Sequence, residues 1–343
     1  MNINERILEL SRYLGVFRTA QIVHALKGEF SRQYVARHIA QLVGEGKLVK
    51  QGSTRGATYA LPEHAHELTD RIQKRLMREG LKEHEVFDEI QQQAPFLREL
   101  PENVRSIFYY AFSEMLNNAI DHSQSKQVEV SVEEADGTLL FTVNDFGVGV
   151  FRNVMRQRGL KSELDAIQDL LKGKLTTQPK AHSGEGIFFT SRVADLFLLE
   201  SFGYRLRVDN RLPDVFVEEV PARKKGTRVR FSISAATDKH LNDIFRKYQT
   251  DPSEYAFDTT EVRIKLYTLG TIHISRSQAR RVTAGLEKFR RVILDFDQVP
   301  TIGQAFADEI FRVFANQHPE IELIPENANE PVQFMIGRVR QSE

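Results

Sequence analysis

The sequence predicts an α+β multidomain chain, and three observations carry that expectation. At 343 residues it exceeds what one typical core holds and suits two or three domains. Element types are segregated: helices open the chain, long helices mixed with hairpin strands fill its centre, and strand–helix alternation closes it. Charge is segregated too. The net charge is zero, yet residues 1–62 hold nine Lys and Arg against four Asp and Glu, leaving 38 against 43 in the rest. A basic head on an acidic body is expected to meet a polyanion through the head alone.

In that head, residues 1–62, Ile7, Leu8, Leu10 and Leu14 stripe a first helix over Ile3–Leu14. Thr19 is the expected N-cap of a second helix through Leu26. Ser31 caps a third, which turns Val35, Ile39, Leu42 and Val43 inward and ends at Gly44 and Gly46. Lys47–Gln51 and Ala57–Leu61 then form a hairpin around Gly52–Gly56. Residues 63–100 are charged, and helical in period from Glu63 to Gln93, which predicts a helical connector stopped by Pro95 and Pro101. Within it, His84–Glu85 reads as a surface histidine.

Residues 101–240 predict a helix over Val104–Ile120, with Ile107, Phe108, Ala111, Phe112, Met115, Leu116 and Ala119 on one face. A hairpin follows, Val128–Val132 and Leu139–Val143, turned at Asp136-Gly137. After a charged insertion at 150–182 come a helix at Ile187–Leu196 and strands at Phe197–Ser201, Tyr204–Asn210 and Thr227–Ser234. The expected layout is helices on one face of a mixed sheet. Residues 255–343 read strand, strand, helix (276–289), strand (292–296), helix (303–316), strand (321–323), then a last helix, as a small α/β domain.

Composition narrows the function classes. There is no cysteine, so disulfides and thiolate metal sites are excluded. No run approaches the roughly 18–20 apolar residues of a membrane helix, and the N-terminus MNINERILELSRYL lacks the apolar core of a signal peptide. The expectation is a soluble, cytoplasmic protein without membrane contact.

Four short segments carry chemistry. Glu114 and Asn118 are four apart on one helix and share a face, where a carboxylate can hold a water and a carboxamide a magnesium ion. Asp145-Phe-Gly147-Val-Gly149 follows a strand directly. Such an Asp can accept from an exocyclic amine, and the glycines let backbone approach a flat base. Gly184-Glu-Gly186 opens a helix, whose N–H groups suit phosphate. Gly226-Thr227 enters a strand. Each segment alone reads equally well as a solvent-facing helix, a capped turn or a simple loop.

Their order and spacing together resemble the GHKL ATPase superfamily, which includes histidine kinases, gyrase B, Hsp90, mismatch-repair ATPases and anti-sigma-factor serine kinases. The resemblance covers about 130 residues and implies a Bergerat-type α/β sandwich that binds ATP and Mg. It further implies Glu114 as general base, Asn118 as magnesium ligand, and Asp145 on adenine N6. Gly147 and Gly149 would shape the base pocket, Gly184 and Gly186 would meet phosphates, and Thr227 would support a base-bound water. The insertion would be the ATP lid, with Lys172, Lys174 and Lys180 available to phosphate or simply solvated. Gly186-Ile-Phe-Phe189 and Asn118-Ala-Ile-Asp-His122 look closest to the anti-sigma-factor kinase branch. The histidine-kinase pattern has glycine where Phe188 stands here.

Two flanking resemblances complete the reading. The three helices and hairpin of 1–62 resemble a winged helix-turn-helix domain. Its third helix would present Arg32, Gln33, Tyr34, Arg37 and His38 to a DNA groove, with Arg55 at phosphate. A protein–protein module of the same fold is the alternative. Val292–Val299 and the following helix resemble a STAS-like domain of the anti-anti-sigma type. Gly303-Gln-Ala305 offers no serine where that family is phosphorylated, although Phe306-Ala-Asp308-Glu309 looks typical of STAS-like domains in ATP-binding proteins. The implied function is an ATP-driven regulatory switch acting on DNA or a protein partner, with a protein serine/threonine kinase as the alternative and a homodimer among the assemblies it allows.

Overall fold

The computed structural model describes residues 2–51, 57–67, 70–94, 96–173, 185–221, 224–251, 256–267 and 275–341. The head comprises α1 (Ile3–Leu14), α2 (Thr19–Ala25), α3 (Arg32–Gly44) and the antiparallel pair β1 (Val49–Gln51) and β2 (Thr58–Ala60). Ile7, Ile22, Val35, Ile39 and Leu42 close a separate small core. Ser31 caps α3 as expected, its hydroxyl accepting the Tyr34 N–H at 3.2 Å. Thr19 does not cap α2 but is its first residue, because Gln21 reaches back to accept the Arg18 N–H at 2.8 Å. The hairpin tip with Arg55 lies outside the described residues.

The helical reading of 63–100 is corrected in its middle. After a helical turn at Pro62–Glu67 comes a strand, β3 (Asp70–Met77), then α4 (Glu83–Gln93) and α5 (Phe96–Glu99). Arg71, Gln73 and Arg75 face solvent while Ile72, Lys74 and Leu76 turn inward, a period of two. Ile72 and Leu76 pack on the central core and Lys74 pairs with Glu89 of α4 at 2.5 Å. A neighbouring strand supplies the ladder hydrogen bonds, and this overrides local helical spacing.

Next follow α6 (Glu102–His122), β4 (Gln127–Ala135), β5 (Thr138–Asp145), α7 (Val150–Arg158), α8 (Glu163–Lys172), α9 (Gly186–Val193), β6 (Leu196–Ser201), β7 (Tyr204–Asp209), β8 (Asp214–Glu219) and β9 (Thr227–Ser234). They form a seven-stranded sheet in the order β3-β4-β5-β9-β6-β7-β8. Every pairing is antiparallel, not mixed as expected: β4–β5, β6–β7 and β7–β8 are hairpins, and β9 runs antiparallel to both β5 and β6. The apolar stripe of α6 is buried throughout, and Phe108 and Phe112 meet the stacked pair Phe141–Phe231 (4.9 Å between centroids) edge-on. At one register a polar row crosses all seven strands: Arg75, Glu129, Asn144, Arg228, Glu200, Arg205 and Glu218. Asn144 donates to Glu129 at 3.0 Å and Arg228 to Glu200 at 3.4 Å. Charge complementarity of this kind fixes register more than it adds stability.

The C-terminal part holds α10 (Leu241–Lys247), β10 (Thr259–Arg263), α11 (Arg276–Thr283), β11 (Arg291–Asp295), α12 (Gln304–Asp308), α13 (Ala315–Gln317), β12 (Glu322–Glu326) and α14 (Glu330–Arg340). A π-helical turn at Glu309–Phe314 joins α12 to α13, so the helix expected over 303–316 is continuous. The sheet β10-β11-β12 is parallel, as strand–helix alternation requires. One strand precedes α11 among the described residues, and residues 268–274 of the stretch expected to hold a second lie outside them. Among the described residues no helix is long and apolar enough to cross a membrane.

Candidate functional site

Asp145 ends β5 and is nearly fully buried. Its Oδ1 accepts two backbone N–H groups, from Gly147 at 2.9 Å and Thr227 at 3.1 Å. Burial raises its carboxyl above the usual range, and these donors together with nearby Lys224 offset only part of that rise. The Thr227 hydroxyl accepts the Val150 N–H at 3.0 Å, joining the head of β9 to the start of α7.

Glycine is required where backbones meet here. A Cβ on Gly147 would lie 1.7 Å from the Ser123 carbonyl oxygen, which itself accepts the Val148 N–H at 2.8 Å. Gly226 has φ +79° and its Cβ would meet the Asp145 carbonyl oxygen at 2.4 Å. The loop after β5, the end of α6 and the turn before β9 are therefore in backbone contact.

The second cluster lies further back along α6. Glu114 is half-buried and its Oε2 would stand 2.1 Å from a Cβ on Gly186, so the carboxylate lies over the first turn of α9. Asn118, one turn on, has its Nδ2 buried with no hydrogen-bond partner. A buried, unsatisfied carboxamide atom is costly unless a ligand or water meets it. From Glu114 to Ser123 the axis of α6 covers about 13 Å at 1.5 Å per residue. The helix thus links the Asp145–Gly147–Thr227 cluster to the Glu114–Gly186 cluster, with Asn118 between them.

The expected residues divide accordingly. Glu114, Asn118, Asp145, Gly147, Gly186 and Thr227 line the two clusters. Gly149, at φ +79°, caps α7, and a Cβ there would meet Phe202 and Ser201 at 2.5 Å. Gly184, Lys174 and Lys180 lie outside the described residues. Lys172 is no phosphate contact: it is buried, with its ammonium donating to the carbonyls of Arg281 (2.9 Å) and Ala284 (2.7 Å) in the C-terminal part. Burial pushes that ammonium down to about 8. Phe188 does not face the site either; it packs among Phe189, Tyr248 and Phe257.

Two groups were missed from the sequence. Lys224 donates from Nζ to the Asp145 carbonyl oxygen at 2.5 Å, and burial lowers its ammonium to about 8. Its place two residues before Gly226 was the available signal. Tyr110, one turn before Glu114 on α6, is raised by burial and by the nearby Glu114 and Glu185 carboxylates, and its ring packs edge-on against Phe245. Its i−4 spacing from Glu114 was legible.

Comparison with known families agrees with this geometry. Residues 103–237 match the family described as histidine kinase-, DNA gyrase B-, and HSP90-like ATPase. Residues 278–333 match a STAS-like domain of unknown function (DUF4325). The chain therefore carries a GHKL domain at its centre and a STAS-like domain near its C-terminus. No curated protein matches it.

Proposed function

We propose that this chain is an ATP-binding regulatory protein, in which Mg-ATP binding or hydrolysis in the GHKL domain switches binding to DNA or to a protein partner. The observation that carries the reading is the pair of clusters joined by α6. Asp145 presents its remaining carboxylate oxygen to adenine N6, with Gly147 and Gly149 shaping the base pocket and Thr227 supporting a base-bound water. Gly186 meets phosphate at the other end. Among the described residues no group of three His, Asp or Glu side chains gathers to hold a metal. The buried Asn118 Nδ2 is a hydrogen-bond donor suited to a phosphate oxygen, and the Oδ1 of the same side chain is the atom that would hold a magnesium ion. Once bound, that ion supplies neutralisation of phosphate charge.

In this reading Glu114 orients and deprotonates the attacking water. Glu114→Gln is expected to lower ATP turnover about 10²–10⁴-fold while leaving ATP affinity within a few fold. Phosphate release and calorimetry read the two effects, and a variant with undiminished turnover would remove Glu114 from the reaction. Label from γ-labelled ATP appearing on protein instead of as free phosphate would favour the serine/threonine kinase reading.

The head is proposed as a winged helix that contacts DNA. Arg32, Gln33 and Arg37 are all exposed on α3, and the head carries the chain's positive excess. Arg37→Ala is expected to weaken DNA binding and to reduce the salt slope by about one. DNA affinity that is the same with and without Mg-ATP would eliminate the switch, since a ligand shifts only states it binds unequally.

A further inference from the structure

The insertion between β5 and α9 is the segment expected to be the ATP lid, and its second helix is shared by two domains. On one side of α8, Ala166, Ile167 and Leu170 belong to the core of the central domain. On the other, Asp165, Gln168 and Lys172 follow i, i+3, i+7 spacing and face the C-terminal part. Arg281 of α11 pairs with Asp165 at 2.7 Å and donates to Gln168 Oε1 at 2.8 Å. Gln168 Nε2 donates to the Leu266 carbonyl at 2.5 Å, and the Tyr267 hydroxyl donates to the Gln168 carbonyl at 3.2 Å.

Lys172 ends the helix and makes the deepest contact. Only 4% exposed, its ammonium sits on the Arg281 and Ala284 carbonyls at the C-terminal end of α11, where a helix leaves carbonyls unpaired and its dipole is negative. In return the Thr260 hydroxyl of β10 donates to the Lys172 carbonyl at 2.6 Å. Just beyond, a Cβ on Gly173 would strike the Phe257 ring at 2.7 Å. The helix on the far side of the insertion, α9, is gripped as well. Phe188 and Phe189 from its first turn lie in the C-terminal core with Tyr248, Phe257 and Phe289. The same first turn places Gly186 beneath Glu114.

We infer that the contact of α8 with α11 and β10, latched by Lys172, is the coupling element between the nucleotide site and the STAS-like domain. Whatever ligand shifts α8 or α9 also shifts the packing of α11, and a partner that loads or frees α11 changes nucleotide affinity by the same factor. The inference rests on the reading that the central site binds ATP.

The test uses full-length protein, with Mg-ATP as ligand and two variants. Lys172→Met keeps the side-chain length and removes the ammonium. Arg281→Ala cuts the more exposed half of the contact, and serves if the first variant fails to fold. Hydrogen exchange is followed in segments 163–172 and 276–284, and ATP affinity by calorimetry. In the wild type, Mg-ATP is expected to slow exchange in 276–284 several-fold. In either variant, exchange there rises without nucleotide, the response to Mg-ATP is lost, and ATP affinity changes about tenfold. ATP heat in the wild type with unaltered exchange at 276–284 overturns the coupling alone. So does an undocked variant that binds ATP as tightly as the wild type. Absence of any ATP heat from folded wild-type protein overturns the nucleotide reading, and the coupling with it.

Discussion

Alanine at Gly147 is expected to abolish detectable ATP binding and to destabilise the central domain by about 3 kcal/mol, the upper part of the usual overpacking range. The added carbon would sit 1.7 Å from the Ser123 carbonyl oxygen. That neighbour is backbone, so no rotamer change relieves the overlap; the end of α6 or the loop after β5 must move. Either movement breaks the bond from Val148 N–H to Ser123 (2.8 Å) and displaces the Gly147 N–H from Asp145. Thermal unfolding and ATP calorimetry on the purified variant measure both effects. Wild-type melting together with wild-type affinity would show that the close approach does not exist.

Asp145→Asn separates recognition from stability. An asparagine Oδ1 still accepts the Gly147 and Thr227 N–H groups, so the fold is expected to persist. In the proposed site its Nδ2 would replace the oxygen offered to adenine N6 and set donor against donor. Loss of a hydrogen bond to a charged group plus an unmatched polar pair is worth roughly 3 kcal/mol, about a hundredfold in affinity. A variant that melts like the wild type but binds ATP about 100-fold more weakly is the anticipated result. Undiminished affinity would take Asp145 out of the base pocket.

The α6 stripe was legible in the sequence because a buried helix face leaves a 3.6-residue record, and all eight of its buried positions are apolar. The segments around Glu114, Asp145 and Thr227 were legible because close backbone approach needs glycine at fixed spacing. β3 was not: an edge strand covered on one side turns only Ile72 and Leu76 of its apolar residues inward, Met77 being exposed, and its charges imitate a solvated helix. At Lys172 the sequence leaves phosphate contact and solvation open, because its acceptors, Arg281 and Ala284, lie more than a hundred residues away. Phe188 was read against a glycine pattern, whereas its surroundings come from Tyr248 and Phe257. Local periodicity holds no trace of either contact.

The strand order has a consequence for how the molecule is made. β9 lies between β5 and β6, yet leaves the ribosome after both. Until residue 234 emerges, β3–β5 and β6–β8 are two ribbons with unpaired inner edges, a sticky and slow-maturing state. Arg228 then closes the polar row between Asn144 and Glu200. The same strand brings the Thr227 amide to Asp145. A nascent chain therefore completes the hydrogen bonds that hold the Asp145 carboxylate only when its sheet is sealed, and cannot offer a finished pocket on a half-built one.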